Sequence, residues 1–267
     1  MSAKVKILLF FGAILGILIA AYVWWVPALA EKFAGRVPVS YEQSVGQQLY
    51  DQMRKTWEVD EARTRLLQLF YEDLNYDRAY NTKVTVVKSP EKNAFALPGG
   101  FIVVYTGILE DMPSAEALAA LLAHETAHIT QRHTLRNIMR SMGRGMLIAL
   151  VTGNGDGVAG AILSRANELK GLEYSRELET EADNQGIAFM KKRKINPVGM
   201  KALMEFLAEE TAGSEPAAFM STHPLFDTRI ANIDAQLKNS SEEREDVRLN
   251  EFFKIIKAGN PAPSGDW

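Results

Sequence analysis

The residues best suited to chemistry in this sequence are two histidines, His124 and His128, with Glu125 between them. Side chains four residues apart on a helix point the same way, so the two imidazoles can bind one metal ion. A glutamate directly after the first histidine can accept a proton from the attacking water in a hydrolysis. Because so short a pattern also arises by chance, a metal site requires a further ligand elsewhere in the chain.

That further ligand is not a third histidine on the same helix. A catalytic zinc commonly has three protein ligands and one open position. The three-histidine pattern requires glycine at 131 and histidine at 134, where this chain has Gln131 and Thr134. His133 follows His128 by five residues, which on a continuous helix rotates its side chain roughly 140° away. We therefore expect His133 either to contact a metal-ligating residue without binding the metal itself or to be a polar residue with no role at the site.

An acidic stretch further along the chain offers a carboxylate as the third ligand. On a helix, Glu179 and Asp183 share one face, while Glu177 and Glu181 share another. One carboxylate of a pair could bind the metal while the other accepts the N–H of a ligand histidine and fixes its tautomer. Spacing alone does not choose between the two pairs, and a solvated acidic face is the alternative.

Taken together, four motifs resemble the HtpX- and BepA-like zinc metalloendopeptidases, a gluzincin family that also includes the CAAX prenyl proteases. They span residues 40–235 and are, in order, Asn93-Ala94-Phe95 with Pro98-Gly99-Gly100, His124 to His128, Ser175-Arg176 through Glu179-Thr180-Glu181-Ala182-Asp183, and Thr222-His223-Pro224 with Arg229. The resemblance implies one zinc ion per chain, with Glu179 as its third ligand. It also implies that Asp183 orients a ligand histidine.

The same resemblance bears on two later residues. It implies that His223 lies near the metal, as a donor to the oxyanion or as a gate, with a simple turn residue as the alternative. Arg229 would lie close by, either binding substrate or forming a structural ion pair. The chain shows neither the tetratricopeptide repeats of BepA nor the several membrane helices of HtpX, so the resemblance does not extend to CAAX processing.

A small sheet is predicted ahead of the motif. Residues 83–88 and 101–105 are β-branched and aromatic, which favours strands. Residues 95–97 should form a short edge strand, because Pro98 cannot donate to a ladder. An extended substrate could add to that edge through β-augmentation, and a plain hairpin is the alternative. The residues that would contact such a substrate are Asn93, Ala94, Phe95 and Ala96.

Helices should surround this sheet. Ser40 with Gln43 predicts a capped helix from 40 to about 56, and Asp60 predicts the start of a second helix that ends near 75. The motif helix is predicted to continue from 114 to about 141. We predict an α+β, mostly helical fold: a zincin-like metalloprotease domain with a small sheet or hairpin packed on the motif helix, preceded by one transmembrane helix.

That transmembrane helix would come from residues 7–26, which carry no charge. As a helix they would extend about 30 Å, enough to cross a bilayer. Because the run is longer than the ~7–15 residues of a signal peptide's apolar core, we predict an uncleaved signal anchor over 1–30. Lys4 and Lys6 precede the run, which predicts that the catalytic domain lies on the periplasmic or extracytoplasmic side. Export after signal-peptide cleavage near Ala28-Leu29-Ala30 is the alternative.

The rest of the chain divides into a linker over 31–38, a zinc metallopeptidase domain over 39–258 and a disordered tail over 259–267. Within the domain, the apolar segments 146–151 and 158–163 flank a glycine-rich turn. They predict either a helical hairpin that covers the core or a mobile lid near the cleft.

The amino-acid composition excludes several kinds of site and partner. The absence of cysteine excludes a disulfide framework, a thiolate metal site and a cysteine nucleophile. A net charge of −3 without a basic helix argues against nucleic acid. We expect a membrane-anchored endopeptidase whose partners are polypeptides. The family resemblance implies that it acts in quality control on unfolded or misfolded envelope or membrane proteins. The alternatives are a chaperone-like binding protein with a gated or inactive site and a tethered scaffold with a chance motif.

Overall fold

The structure is a computed structural model that describes residues 2, 5–7, 9–16, 25, 29, 31–32, 34–76, 79–141, 160, 173–211, 218–224, 227–238 and 246–259. Three predictions fall wholly or largely outside these residues: the signal anchor, the 146–163 segment and the tail. No helix within the described residues is both long enough and apolar enough to cross a membrane.

Two helices precede the sheet: α1 (Val39–Arg54) and α2 (Glu61–Leu74). Helix α2 begins where the sequence predicts, because the Asp60 side chain accepts a hydrogen bond from the backbone N–H of Arg63. The predicted capping box at Ser40 is wrong. Helix α1 begins one residue earlier, at Val39, with Pro38 at the N-cap and no side-chain hydrogen bond there.

Three strands form one mixed sheet in the order β1-β3-β2. The strands are β1 (Lys83–Val87), β2 (Ala94–Leu97) and β3 (Phe101–Tyr105). Strands β1 and β3 are parallel, whereas β2 and β3 are antiparallel and joined by a tight turn. In that turn Gly99 and Gly100 have φ values of 81° and 105°, a region that favours glycine. Strand β2 is therefore at an edge, as predicted.

Side chains of α2 cover the opposite edge of the sheet. Gln68 Oε1 accepts the N–H of Val84 at 2.7 Å, and Thr64 Oγ1 accepts the N–H of Val86 at 2.9 Å. These bonds satisfy outward-facing groups of β1, which protects that edge from pairing with another chain. Strand β2 remains the edge at which an extended peptide could add.

After the sheet come α3 (Thr106–Asp111) and the motif helix α4 (Ala115–Thr130), which packs on one face of the sheet. The prediction of an uninterrupted helix to residue 141 is wrong. Helix α4 ends at Thr130, Arg132 adopts φ 58°, and a new helix, α5, occupies residues 133–141.

The later helices are α6 (Arg176–Lys192), α7 (Val198–Thr211), α8 (Ala218–Thr222), α9 (Asp227–Leu237) and α10 (Val247–Ala258). Helix α6 lies close to α4 at Gly186, where an added Cβ would be 3.4 Å from the backbone nitrogen of His124. The larger hydrophobic core lies on the α4 face of the sheet, and a smaller one lies between the sheet, α1 and α5. The described residues thus form the mostly helical α+β fold that the sequence predicts.

Candidate metal centre

Four buried side chains converge beside the motif helix. His124 and His128 come from α4, Glu179 from α6, and His223 from the residue after α8. One ligand atom from each lies within 4.8 Å of all the others, and each of the four side chains is fully buried. Glu177, which sequence spacing alone allowed as the carboxylate ligand, is exposed to solvent on α6.

Distances within this cluster are short. Nε2 of His124 and Nε2 of His128 are 3.0 Å apart. The Glu179 carboxylate lies 3.6 Å from the first of these atoms and 3.4 Å from the second. Nδ1 of His223 is 3.0 Å from Glu179 Oε1 and 3.3 Å from His124 Nε2. Imidazole nitrogens with one carboxylate oxygen are the donors that zinc takes in catalytic sites.

The far side of His124 is held by a carboxylate and a guanidinium. Nδ1 of His124 lies 3.0 Å from Asp183 Oδ1. Arg229 donates to both oxygens of Asp183 at 2.7 and 2.8 Å, and its Nη1 is 2.6 Å from Glu179 Oε2. The substrate-binding assignment of Arg229 does not fit this structure, because the side chain is 1% exposed between two carboxylates. Arg229 instead forms the structural ion pair that the sequence left open.

Charge and burial shift the pKa values of these groups. Burial alone would raise the pKa of Glu179, but the charges of His223 and Arg229 hold it well below its usual value. Arg229 likewise outweighs burial and lowers the pKa of Asp183. Burial holds the pKa of His128 well below its ordinary value. The carboxylates are therefore ionised and His128 is neutral near pH 7.

The orientation of the two imidazole rings makes the cluster suitable for a cation. Asp183 accepts from His124 Nδ1, which holds a proton on that nitrogen and turns Nε2 towards the cluster. Despite burial, this hydrogen bond and the charge of Glu179 raise the pKa of His124. His128 Nδ1 also faces a polar partner, at 3.1 Å, so the Nε2 of His128 is likewise turned towards the cluster. The two Nε2 atoms are 3.0 Å apart, so both can serve one cation once its binding displaces any second proton on His124.

Glu125 lies beside the cluster, with its carboxylate close to His223 and to the backbone of Ala96. Neither carboxylate oxygen has a hydrogen bond within the described residues, and neither does Nε2 of His223, which is 3.7 Å from Glu125 Oε1. Burial raises the pKa of Glu125 despite the nearby His223 and His124. A carboxyl group with a raised pKa and unused lone pairs is suited to accepting and returning a proton.

The predicted substrate strand is covered in this structure. Residues 93–96 are all buried. The backbone oxygen of Ala96 accepts a hydrogen bond from Thr134 Oγ1 at 3.2 Å, and that hydroxyl is 2.8 Å from the Tyr174 hydroxyl. The Tyr174 ring lies 4.1 Å from that of His128, between centroids. Sequence reasoning missed both hydroxyl residues, because neither belongs to a spacing pattern.

His133 also differs from its predicted position. The rotation expected of a continuous helix does not occur, because the chain breaks at Gln131 and Arg132. His133 Nδ1 instead lies 3.1 Å from His128 Nδ1, on the side away from the cluster. It is a hydrogen-bond partner of a candidate ligand and contributes no atom to the cluster itself.

The chain is similar to several known proteases. The chain is 33% identical over 163 residues to the mitochondrial metalloendopeptidase OMA1 of Schizosaccharomyces pombe, covering 60% of this chain and 48% of that protein. It is 28% identical over 184 residues to the beta-barrel assembly-enhancing protease of Escherichia coli, covering 65% and 37%. For the metalloprotease LoiP of the same organism the values are 27% over 158 residues, 57% and 61%.

The chain therefore spans between 37% and 61% of the length of these relatives. Residues 60–237 match the family described as peptidase family M48. The matched segment is more than half of the chain and contains Glu125 and all four residues of the buried cluster. The chain belongs to peptidase family M48.

Proposed function

We propose that this protein is a zinc metalloendopeptidase in which His124, His128 and Glu179 hold one zinc ion. The observation that carries the proposal is the pair of facing Nε2 atoms, 3.0 Å apart and flanked by an ionised carboxylate. Membership of the peptidase family supports the reaction, and the nitrogen and oxygen donors support zinc. A zincin-like fold of the domain over 39–258 is part of the proposal.

When bound, zinc would act as a Lewis acid that polarises the scissile carbonyl and makes water more acidic. Glu125 would accept the proton of the attacking water and later return it to the leaving amine. Its raised pKa favours holding that proton between the two steps. Asp183 would orient His124, while Arg229 would keep Glu179 ionised.

We also propose that substrates are unfolded polypeptides that bind as an added strand along residues 93–96. Pairing through the backbone is weakly specific for sequence, which suits unfolded or misfolded chains. Because the Thr134 hydroxyl occupies the carbonyl oxygen of Ala96, entry of such a strand would displace Thr134 and the Tyr174 ring behind it.

The proposed setting is quality control of envelope or membrane proteins, with the domain held outside the cytoplasm by residues 7–26. The length of this uncharged segment and the preceding Lys4 and Lys6 support the anchor. Fractionation of cells that express the chain with and without residues 1–30 tests it. Equal membrane association of the two chains would contradict the anchor.

A second candidate is a chaperone-like binding protein whose peptidase site is gated. The position of His223 favours it, because its Nδ1 lies 3.0 Å from Glu179 and 3.3 Å from His124 Nε2. A fourth protein ligand would close the position that a catalytic zinc site keeps open for water. His223 is thus either a donor to the oxyanion after it moves or the gate itself.

One set of cleavage assays tests these functions. Wild type, Glu125→Gln and His223→Ala are compared on an unfolded, fluorescently labelled protein, with zinc content measured in each. If the protein is a metalloendopeptidase, wild type should cleave the substrate, and Glu125→Gln should lose cleavage while it retains zinc. Activity confined to His223→Ala would favour the gated protein, and unchanged activity in Glu125→Gln would contradict the proposed mechanism.

A further inference from the structure

A second set of polar contacts lies behind His128, away from the metal cluster, and the mechanism above does not use it. Nδ1 of His128 lies 3.1 Å from Nδ1 of His133, and Nε2 of His133 lies 3.1 Å from Oε2 of Glu181. The His133 side chain is fully buried, whereas that of Glu181 is 45% exposed. The three side chains form a hydrogen-bonded series from the surface to a candidate zinc ligand.

The chemistry of the three groups selects one arrangement of protons. A carboxylate can only accept, so the Nε2 of His133 that faces Glu181 must donate and carry a proton. In a neutral imidazole the other nitrogen, Nδ1, then accepts, and its donor is the Nδ1–H of His128. Nε2 of His128 is left unprotonated and directed into the cluster, as a zinc ligand requires.

The backbone is shaped to bring His133 to this position. An uninterrupted helix would rotate residue 133 roughly 140° away from residue 128. Instead, Arg132 adopts φ 58°, a conformation that non-glycine residues seldom hold unless their surroundings require it. Arg132 is fixed there by hydrogen bonds of 2.7 Å to the buried Glu42 carboxylate and 2.7 Å to the backbone oxygen of Val37. Helix α1 and the residues before it thus stabilise the break.

Glu181 is held in place as well. Nη1 of Arg136, one turn further along α5, lies 3.3 Å from the same Oε2 that His133 contacts. The other end of that guanidinium lies 3.1 Å from Glu31. Arg136 thus holds the Glu181 carboxylate directed at His133, where it accepts a hydrogen bond.

We propose that His133 is a positioning residue that fixes the tautomer and ring orientation of His128, and that Glu181 fixes His133 in turn. The proposal rests on the proposed function, since it requires His128 to bind zinc through Nε2. The two candidate histidine ligands are then oriented differently: His124 by a carboxylate directly, and His128 by a carboxylate acting through a second imidazole.

The test measures zinc affinity of the full chain by competition with a chelator. His133→Leu should bind zinc about 10- to 100-fold more weakly than wild type, the usual effect of removing the partner of a ligand histidine. His133→Asn should recover much of that loss, because the asparagine carbonyl oxygen can accept where Nδ1 did. The zinc affinity of Glu181→Leu should lie between those of His133→Leu and His133→Asn. Glu177→Leu, an exposed glutamate on the same helix, is the matched control and should bind as wild type does.

A second readout separates positioning from a packing role. The ¹⁵N signals of the His128 ring should report the Nδ1–H tautomer in zinc-loaded wild type and in His133→Asn, and a mixture of tautomers in metal-free His133→Leu. Wild-type affinity and tautomer in His133→Leu, or an asparagine variant no better than leucine, would overturn the proposal. If His133→Leu does not fold, the partly exposed Glu181→Leu decides: wild-type affinity there overturns the proposal.

Different results would contradict the proposed zinc site itself. If wild type binds no zinc, or if His124→Ala binds it as tightly as wild type, then the metal site itself is wrong. If those controls behave as expected and only the His133 and Glu181 variants match wild type, the metal site stands and the positioning role does not.

Discussion

Nδ1 of His124 lies 3.0 Å from Oδ1 of Asp183, inside a core where both side chains are fully buried. Arg229 donates to the same carboxylate through two nitrogens, so Asp183 is fixed before it orients the imidazole. This rigid support determines which nitrogen of His124 faces the cluster. The candidate metal centre therefore depends on residues that would not touch the metal.

Replacing Asp183 with asparagine should weaken zinc binding. The amide lacks the charge that holds the His124 Nδ1 proton, and its NH₂ group would oppose Arg229. We expect zinc affinity to fall about 10- to 100-fold, measured by chelator competition. Asp234→Asn, at a partly exposed aspartate that pairs with Lys201, is the control and should leave the affinity unchanged. Equal affinities of the two variants would contradict the orienting role of Asp183.

Arg229→Met should destabilise the fold. The guanidinium is 1% exposed and lies between Asp183 and Glu179, so its loss leaves two buried carboxylates without their cation. We expect a loss of about 3–5 kcal/mol in the free energy of unfolding, measured with urea in the absence of metal. Arg248→Met removes an ion pair with Asp73 in which the arginine is 60% exposed, and should cost less than about 1 kcal/mol. Similar losses of unfolding free energy in both variants would contradict a stabilising role that depends on the burial of Arg229.

Thr134→Val should open the substrate edge more readily. Valine has the shape of threonine but cannot donate to the backbone oxygen of Ala96, which is then free to pair with a substrate strand. One neutral hydrogen bond corresponds to roughly a two- to tenfold effect, so KM for an unfolded substrate should fall by about that factor. Thr180→Val, on the partly exposed surface of α6, is the control. An unchanged or higher KM in Thr134→Val would contradict entry along this strand.

Much of the fold follows from local signals. Asp60 caps α2, and Pro98 with two glycines limits β2 to an edge strand, because these residue types act on their own neighbourhood. The beginning of α1 does not follow the same rule. A favourable capping pattern at Ser40 is bypassed, since a helix can begin at Val39 after a proline whose φ is already −58°.

The outer partners of the site could not be predicted in the same way. Arg132 gives no sign that it adopts a left-handed conformation, because the buried Glu42 that stabilises it comes 90 residues earlier in the chain. Without that break, His133 points away from His128. The contact between Thr134 and Tyr174 is likewise tertiary, joining residues 40 positions apart. The sequence spacing pointed to the histidines, but the residues that orient them are placed by contacts between parts of the chain that are far apart in sequence.

Zinc binding by His124, His128 and Glu179 is best tested by the zinc content of purified protein in which single α6 glutamates are changed. We expect close to one zinc per chain in wild type and in Glu177→Gln, whose carboxylate is exposed. We expect a content far below one in Glu179→Gln, because an amide replaces the buried carboxylate beside His124 and His128. Full zinc content in Glu179→Gln, or its loss in Glu177→Gln, would contradict the metal site described for this chain.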